Sequence, residues 1–556
     1  MRRLLPAIIS LICILGCVVI LLYNEKPEEI INRSEIYLAS EGGDVTIYCL
    51  GEEDTLQPYT SLCRGTAVSS RNRTITLEDE VTVMTEIELD GQVDENGEPL
   101  VFYVKNSDYE TSRKSVVREK TRYVRTDVTI YADDHSAEII SFAEKGTELS
   151  VMGFSGLNDD GTVNMYLVTN GSDSGYVYGK YLTDSQEEAD ALYSLADIHS
   201  GRSYDYELYG GSAENLDYYP YEKASWEDNP LLTDGRCIYV NGASAALDSI
   251  DDYIDLALSS GANALVVDIK DNYLSYESLV AQTYSPVSYA HSLLTFDEYA
   301  SSIQKIKDAG LYVIGRIVVF NDEYYAQDHP EECIESYVSD ALWPSAYSRN
   351  CWYYNVALAI EAVENFGFNE IQFDYVRFPE SAYSMSESEY TDFKNVYGEE
   401  KAEAIQNFCY YAADQMHRVG AYISVDVFGE CVNEYVTAYG QYWPAISNVV
   451  DVISGMPYTD HFGSETDTWS DPYTTVYEWA LMAAQRQSEI ENPAVARTWI
   501  TGYDTPNWDP YITYGENSLL NQRNALEDAG LSGGFIPWNG GSYIDKYYSY
   551  SAVWAE

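Results

Sequence analysis

GFNEIQFDYVRFP, residues 367–379, is the stretch that decides the fold. Its glycine is placed to end a helix, and the short apolar run that follows suits a strand ending on a carboxylate. Alternation along a strand puts Gln372 and Asp374 on one face and Ile371 and Phe373 on the other. In a parallel barrel the first face points to the axis at the carboxyl end of the strand, where such barrels build their active sites. Asp374 is therefore the leading candidate catalytic residue.

After residue 235, strand-like apolar runs alternate with helical periods, which is typical of a parallel α/β fold. The predicted strands are 237–240, 264–269, 311–319, 370–375, 422–427, 450–456, 498–502 and 534–538. Helices are predicted near 244–260, 296–309, 354–366, 401–419, 443–448, 474–489 and 519–529. Eight strands alternating with helices fit a closed α/β barrel with loop insertions better than an open sheet.

Polar and aromatic side chains gather where the predicted strands end. They are Asp268 at the second strand, Arg316 at the third, Asp374 and Arg377 at the fourth, Asp426 and Glu430 at the fifth, Tyr458 and His461 after the sixth, and Trp538 with Asn539 at the eighth. Because the carboxyl ends of barrel strands meet at one face, these side chains are expected around a single site.

These motifs resemble those of a bacterial family described as a "putative glycoside hydrolase domain", a TIM barrel often attached to small Src-homology-three-like barrels. The resemblance covers residues 235–556 and implies an eight-stranded (β/α) barrel. One departure is Gly455, where family members commonly carry proline, with Pro457 two places on. The fourth strand is also similar to that of chitinase-like barrels, but Val376 stands where their catalytic glutamate would follow, so the chitinase mechanism is not supported.

Cleavage of a glycosidic bond usually needs one protonated and one ionised carboxyl group. We assign Asp374 as nucleophile or base and Asp426 as acid, with Glu430 as the reserve acid. Arg316 and Arg377 are candidates to hold one carboxylate ionised, and an apolar neighbour could keep the other protonated. The remaining strand-end residues, Asp268, Tyr458, His461, Trp538 and Asn539, join the two arginines as substrate-binding candidates.

Structural roles remain open for several of these residues. Asp268 and Arg316 could form a salt bridge that only positions loops, His461 could have no role, and Asp374 could cap a helix or pin a loop. The loop acids Asp271 and Asp322 suit solvated positions or helix caps. Tryptophans that could stack on sugars, or be buried between helices and barrel, are Trp343, Trp352, Trp443, Trp499 and Trp538.

The region before the barrel divides into three parts. Short alternating runs separated by Gly, Asp and Asn turns predict small all-β domains, a divergent one at 35–117 and a second at 118–184. The second resembles the bacterial Src-homology-three-like fold, whose relatives often bind cell-wall peptide or glycan. Residues 185–234 are acidic and rich in Tyr, Ser and Gly, which favours a linker.

The amino terminus predicts the compartment. Arg2 and Arg3 precede an uncharged run over residues 4–23, long enough to cross a bilayer. We interpret residues 1–25 as an uncleaved single-pass anchor with the rest of the chain extracytoplasmic. A cleaved signal peptide and lipidation at Cys17 are the alternatives. The seven later cysteines could pair as Cys49 with Cys63 and as the cysteines at 333 and 351, or stay reduced in the core.

Composition excludes one class of partner. The chain of 556 residues has 32 Lys and Arg against 90 Asp and Glu, a net charge of −58, which repels nucleic acid. No nucleotide loop, Ser/His/Asp motif or metal-binding repeat is present, so no cofactor or metal is expected. The leading hypothesis is an anchored extracytoplasmic glycoside hydrolase acting on a polysaccharide, such as a cell-wall glycan. The alternative is a non-catalytic carbohydrate- or wall-binding protein on the same barrel.

Overall fold

The computed structural model describes residues 32–555, apart from 52–54, 78, 80, 94–96, 98, 192–195, 206–208, 340–341, 463–465 and 506–508. The chain forms two compact units: one takes the described residues up to Val124 and Thr147–Gln186, and the other takes Arg125–Gly146 and the chain from Glu187 onward. The predicted anchor, residues 1–25, lies outside the described residues. Within the described ranges, no helix combines the length and apolar character that a bilayer span requires.

The amino-terminal region is all-β, as the sequence predicts. Its strands are β1 Ser34–Leu38, β2 Asp44–Leu50, β3 Leu56–Cys63, β4 Ala67–Thr76, β5 Val83–Glu88, β6 Phe102–Lys105, β7 Tyr109–Glu110, β8 Thr121–Val124, β9 Val128–Tyr131, β10 Ile139–Ala143, β11 Glu148–Leu157, β12 Val163–Thr169, β13 Ser174–Tyr178 and β14 Leu182–Thr183.

In the first unit, β1–β7 form one sheet in the order β3-β2-β6-β5-β4-β1-β7. Alternate residues of these strands are buried, as Val45 and Ile47 are in β2, and they meet in an apolar core with Ile36, Leu38 and Val104. The same unit holds antiparallel strands in the order β14-β8-β11-β12-β13. The hairpin of β9 and β10 is antiparallel and belongs to the second unit.

The second unit alternates strands with helices. Its further strands are β15 Gly235–Val240, β16 Ala264–Lys270, β17 Tyr312–Val318, β18 Glu370–Asp374, β19 Tyr422–Phe428, β20 Val452–Met456, β21 Val495–Ala496, β22 Thr498–Thr501 and β23 Gly534–Trp538. The α-helices within the described residues are α1 Gln186–Asp190, α2 Ile250–Ser260, α3 Leu279–Tyr284, α4 Pro286–Ala290, α5 Phe296–Asp308, α6 Glu323–Asp328, α7 Arg349–Phe366, α8 Ala382–Glu387, α9 Lys401–Arg418, α10 Trp443–Val449, α11 Thr466–Ser470, α12 Pro472–Gln487, α13 Glu516–Asp528 and α14 Ile544–Tyr548.

Local signals in the sequence explain where these elements start and end. Every residue of β16 is buried, as expected for a parallel strand covered on both faces. Helix α5 begins with a capping box, in which Thr295 and Glu298 each satisfy the backbone of the other. Helix α7 ends at Gly367, whose φ of +70° lies in the left-handed region that glycine adopts without strain.

Strands β15–β23 form a nearly closed parallel barrel in the order β21-β20-β19-β18-β17-β16-β15-β23-β22. The two edge strands, β21 and β22, are successive pieces of chain separated by Arg497 alone. The guanidinium of Arg497 turns inward and pairs with the carboxylate of Glu370, 2.7 Å away, and both side chains are fully buried. A side-chain ion pair therefore lies inside the barrel beside the interruption in the seventh predicted strand.

The segment expected to be a linker is packed on the barrel. Ala213, Leu216 and Tyr218 share a buried cluster with barrel residues that include Val436 and Tyr442. The Lys223 ammonium donates hydrogen bonds to the carbonyls of residues 447, 448 and 450 at the end of α10, where a helix favours positive charge. The contacts involve isolated side chains between polar residues, so they leave no periodic apolar pattern in the sequence.

The predicted cysteine pairs are not formed. All seven described cysteines are free, and Cys237, Cys333, Cys351, Cys409 and Cys431 are buried. The Cys333 thiol is oriented toward the carbonyl oxygen of His329, 3.5 Å away, rather than toward Cys351. The alternative interpretation, reduced core cysteines, describes these five positions.

Candidate active site

Strand register brings several of the predicted strand-end residues together inside the barrel. Asp268 on β16 lies beside Arg316 on β17, and Arg316 lies beside Gln372 on β18. Asp426 on β19 lies beside Ser454 on β20. The Gln372 amide donates to the Ser454 hydroxyl at 3.1 Å across β19, so this face of the strands points to the barrel interior.

The Arg316 guanidinium is the centre of the site. Its Nε and Nη2 donate to the same oxygen, Oδ2 of Asp374, at 3.1 and 2.6 Å. Its Nη1 donates to Oδ1 of Asp268 at 2.9 Å. The exposed carboxylate of Asp271 lies 3.6 Å from Nη1. One buried cation thus binds carboxylates from both neighbouring strands through charge-assisted hydrogen bonds.

Two aromatic rings cover this cation. The guanidinium carbon lies 5.6 Å from the centre of the Tyr239 ring and 5.4 Å from that of Trp538, within cation–π range. The Tyr239 hydroxyl also donates to Oδ2 of Asp268 at 2.6 Å. Trp538 is therefore placed over Arg316, where it shields the ion pairs from water on one side.

Asp426 lies in a different environment from Asp374. Its Oδ1 accepts a 2.8 Å hydrogen bond from the Trp499 indole, whereas its fully buried Oδ2 has no hydrogen-bond partner within the described structure. The nearest cation, Nε of Arg316, is 4.0 Å from Oδ2. Burial, reinforced by the negative charge of Asp374, raises the pKa of Asp426 well above its ordinary value, against the opposing pull of Arg316. Asp426 therefore keeps its proton to higher pH than an ordinary aspartate does.

The environment of Asp268 combines features of the other two carboxyl groups, because it is fully buried and also bound to Arg316. Complete burial raises its pKa from 3.8 to about 6, although Arg316 and the Tyr239 hydroxyl favour the ionised form. The salt bridge considered for Asp268 and Arg316 is present. Asp268 therefore lies among the ligands of the central guanidinium, with its carboxyl group 1% exposed.

Asp374 is the carboxylate that reaches the barrel mouth, with 8% of its side chain exposed. Its Oδ1 accepts a 2.6 Å hydrogen bond from the backbone N–H of Tyr375, the next residue. Tyr375 has φ of +54°, in the left-handed region that is strained for an aromatic residue. The turn fixes one carboxylate oxygen while Arg316 binds the other.

Tyr458 also lies inside the site. It belongs to the buried cluster around Tyr239 and Trp499, and burial followed by the charge of Asp374 raises its pKa well above the ordinary value for a tyrosine. Its hydroxyl therefore stays protonated. His461 packs edge-on against the Tyr458 ring at 5.4 Å but is largely exposed.

Arg377 and Asn539 lie near the site without joining its ion pairs. The Arg377 guanidinium is 4.2 Å from the Phe428 ring and 4.7 Å from the Tyr375 ring, and it donates to the carbonyl of Phe378 and to exposed Glu380. Arg377 was expected to help hold one of the catalytic carboxylates, and its hydrogen bonds go instead to Phe378 and Glu380. The Asn539 amide donates to the backbone of Tyr543 at 3.1 Å and organises the loop after β23.

Glu430 opens onto a separate cleft at the carboxyl ends of β19 and β20. It is exposed and accepts hydrogen bonds from the hydroxyls of Tyr435, at 3.3 Å, and Tyr439, at 2.8 Å. The cleft has a volume of about 970 Å³, and its lining includes Glu430, Phe428, His461 and Trp479. Asp374 and Asp426 do not line it, so the structure brings Glu430 and His461 together but apart from the buried pair.

The loop acids have the structural roles considered for them, with one exception. Asp322 caps α6 by accepting from the Tyr325 N–H at 2.9 Å and forms a buried ion pair with Lys270. Asp271 instead lies beside Arg316 and adds negative charge at the mouth. Two groups of acids and histidine within the described ranges have donor atoms close enough to share a cation, one at 133–135 and one at 329–332, and neither includes a residue of this site.

Two functional candidates were missed. Tyr239 is the penultimate residue of β15, the first barrel strand, and the sequence motifs assign it no role. Trp499 was considered only as a stacking or core residue, yet its indole contacts Asp426. The signal available in the sequence was the strand alternation that points both residues inward.

The structure is a parallel α/β barrel with carboxylates and a buried guanidinium at the carboxyl ends of its strands. Barrel enzymes place their active sites at this end. A sequence profile of the family described as "Putative glycosyl hydrolase domain" matches residues 237–543, more than half of the chain. The chain belongs to this family. A search of curated proteins gave no significant match.

Solved structures similar to the chain were also found. A hypothetical protein from Ruminiclostridium thermocellum ATCC 27405 is 31% identical over 34% of this chain and 97% of its own, with a TM-score of 0.29. The glycoside hydrolase domain of PgaB (BpsB) from Bordetella bronchiseptica is 11% identical over 58% of this chain and 99% of its own, with a TM-score of 0.42. The spore cortex-lytic enzyme SleL of Bacillus cereus is 11% identical over 59% and 76%, with a TM-score of 0.35. The low TM-scores leave the family assignment to the sequence profile.

Proposed function

We propose that the chain is a membrane-anchored, extracytoplasmic glycoside hydrolase that cleaves a polysaccharide by paired-carboxylate chemistry. In this proposal β21 and β22 count as one interrupted strand, which makes the barrel eight-stranded and of TIM type. Membership of the glycosyl hydrolase family supports the reaction class. Residues 1–25 serve as the anchor, and the small β region, similar to Src-homology-three-like domains, holds the barrel near a cell-wall glycan.

One observation carries the mechanism: two carboxyl groups on neighbouring strands differ in their contacts, one bound by a guanidinium and the other buried. Asp374 accepts two hydrogen bonds from the Arg316 guanidinium. Asp426 is fully buried, lies 4.0 Å from the same guanidinium, and has a strongly raised pKa. Pairs of carboxyl groups whose environments separate their protonation states are how glycosidases divide the acid and base roles.

The roles follow from these environments. Asp426 donates its proton to the leaving glycosidic oxygen, and Asp374 attacks the anomeric carbon or activates a water molecule. The Arg316 guanidinium binds and orients Asp374, while Asp268 and Asp271 balance the positive charge of that guanidinium. Glu430 remains the reserve acid because it is exposed in the adjoining cleft. Trp538 and Tyr458 border the reacting carboxylates.

The test is loss of turnover with retained binding. Asp374→Asn and Asp426→Asn keep side-chain shape but remove proton chemistry, and each should lower kcat on a cleaved oligosaccharide about a thousandfold. Asp471→Asn is the matched control, since Asp471 caps α12 and asparagine caps equally well. Near-normal hydrolysis by both active-site variants would show the assignment to be wrong and direct attention to Glu430 and Asp268.

A second candidate function is glycan binding without turnover. It is favoured by the burial of Asp426, which has no exposed surface and must be uncovered before it can reach a substrate oxygen. Screening the intact chain against a glycan panel separates the two functions. Binding without cleavage of any bound glycan supports the non-catalytic function, and release of shorter oligosaccharides supports the hydrolase.

A further inference from the structure

Four tyrosines form a continuous aromatic cluster on the second unit: Tyr204, Tyr209, Tyr383 and Tyr435. The ring centre of Tyr204 lies 4.9 Å from that of Tyr209 and 5.4 Å from that of Tyr435. Tyr209 lies 5.7 Å from Tyr383 and 5.8 Å from Tyr435. We call these four residues the tyrosine cluster.

The tyrosine cluster faces solvent. Tyr204 is 69% exposed and Tyr383 is 37% exposed, while Tyr209 and Tyr435 are partly buried beneath them. A single exposed tyrosine, or an exposed pair, is common on protein surfaces. The tyrosine cluster differs because four aromatic rings adjoin one another, and such a patch suits a binding surface.

The cluster is continuous with the cleft beside the candidate active site. The Tyr435 hydroxyl donates to Oε1 of Glu430 at 3.3 Å, and Glu430 lines the cleft together with Phe428 and Met456. Phe428 and Met456 are paired in register, two residues beyond the pair of Asp426 and Ser454. The same two strands therefore lead from Asp426 to the cleft floor, and from there Glu430 and Tyr435 lead to the tyrosine cluster.

The charge of the cleft restricts what can occupy this route. Among the described residues, its lining includes the carboxylates of Glu380, Glu430 and Glu478 and no lysine or arginine. An anionic polymer would be repelled along this path. An uncharged sugar chain meets no such penalty, and the apolar C–H faces of its rings suit tyrosine.

We propose that the tyrosine cluster is a glycan-binding surface that holds an uncharged oligosaccharide chain beyond the cleft by stacking its pyranose rings on tyrosine. The inference rests on the proposed function for the direction of the chain, which enters the cleft from the cluster. Two of the four tyrosines come from the chain before residue 237, where the family match begins. Tyr204 and Tyr209 thus supply part of a site that the family domain alone does not contain.

The test compares long and short ligands. Binding is measured by calorimetry in full-length Asp374→Asn protein, so that hydrolysis does not consume the ligand. The probes are chitohexaose, cellohexaose, their disaccharides and a hexamer of galacturonic acid. We expect at least one uncharged hexasaccharide to bind, and the double variant Tyr204→Ala with Tyr383→Ala to weaken that binding about tenfold while leaving the disaccharide unchanged.

Two controls separate stacking from folding. Tyr204→Phe with Tyr383→Phe keeps both rings and should restore binding. Tyr337 and Tyr390 form another exposed pair, with ring centres 5.5 Å apart, that does not line the cleft. Replacing both by alanine should leave hexasaccharide binding unchanged. Because Tyr204 and Tyr383 are exposed, the thermal midpoint of unfolding should also be unchanged.

Each outcome decides the inference. Unchanged hexasaccharide affinity in the alanine double variant, failure of every uncharged hexasaccharide to bind, or preference for the galacturonate hexamer would overturn it. If wild-type protein cleaves glycan while the tyrosine variants bind normally, the inference fails and the proposed function stands. If the variants lose binding but wild-type protein never cleaves, the inference stands and the proposed hydrolase activity fails.

Discussion

The indole of Trp499 and the carboxyl group of Asp426 are joined by a 2.8 Å hydrogen bond. This bond favours the ionised form of Asp426 and so opposes the effect of burial on its pKa. Trp499→Phe should raise that pKa further. Because an acid must be protonated to act, the alkaline limb of the kcat profile should move to higher pH, and kcat at the optimum should fall about tenfold as the carboxyl group loses its orientation.

Measuring kcat against pH checks this prediction. Trp554→Phe is the control, since the Trp554 indole is equally buried but donates to the carbonyl of Cys237. An alkaline limb that stays in place or moves to lower pH in Trp499→Phe would contradict the proposed acid.

Removing the central cation should destabilise the barrel in a pH-dependent way. Arg316→Met leaves Asp268 and Asp374 buried beside each other without their shared partner, at a cost of about 3–5 kcal/mol in the free energy of unfolding near pH 7.5. At pH 5 the cost should be smaller, because the carboxyl groups can take up protons instead. Urea unfolding at both pH values measures it, and an equal loss at both would argue against buried charge as the cause.

The buried carboxyl group of Asp268 should make stability fall as pH rises. Its pKa in the folded protein is about 6, against 3.8 for an ordinary aspartate. Between about pH 4 and pH 6 the folded state therefore binds more protons than the unfolded state, so the free energy of unfolding decreases across this window, by up to about 3 kcal/mol. Urea unfolding of wild type and Asp268→Asn should show wild type losing stability relative to the variant over this range. A difference that is flat or grows with pH would refute the shift.

The packed segment before the barrel can be tested at Leu216. A linker residue can be changed at almost no cost, whereas Leu216 is 5% exposed within a shared cluster. Leu216→Ala should lower the free energy of unfolding by about 2–4 kcal/mol. Leu279→Ala is the control, since Leu279 is 66% exposed and should cost less than about 0.5 kcal/mol. Equal effects of the two changes would support the linker interpretation.

The proposed topology is tested on cells. If residues 1–25 anchor the chain with its positive charge inside, protease added to intact cells should release fragments of the barrel. The released material is detected by an antibody to the carboxyl terminus, with a cytoplasmic protein as the control for lysis. A barrel that stays protected until the cells are broken would rule out the extracytoplasmic orientation.

Much of the barrel was predictable because burial on both faces leaves continuous apolar runs in the sequence. Each predicted barrel strand overlaps an observed one, and Asp268, Arg316 and Asp374 converge as their strand-end positions indicate. Arg377 could not be placed from its spacing. It lies two residues after Tyr375, whose positive φ turns the chain away from the strand direction. A tyrosine in the sequence does not predict a left-handed backbone conformation.

Other features depend on tertiary contacts that have no local pattern. Residues 213–218 pack on the barrel through single side chains such as those of Leu216 and Tyr218, so the polar composition around them suggested a linker. The contact of Trp499 with Asp426 joins residues 73 positions apart. Burial of Asp426 depends on how closely the strands and Trp499 surround it, which composition and periodicity do not specify.

The ion pair of Glu370 and Arg497, at one end of the barrel, affects the pKa of Asp426 at the other end. Glu370 begins β18 and Asp374 ends it, four residues or roughly 13 Å away. The negative charge of Glu370 is among the influences that raise the pKa of Asp426, and Arg497 neutralises it at 2.7 Å. Without Arg497, the negative charge of Glu370 would act unneutralised in the low-dielectric interior, and Asp426 would hold its proton more tightly. The proton affinity of Asp426 is therefore set partly by a buried ion pair at the amino end of β18.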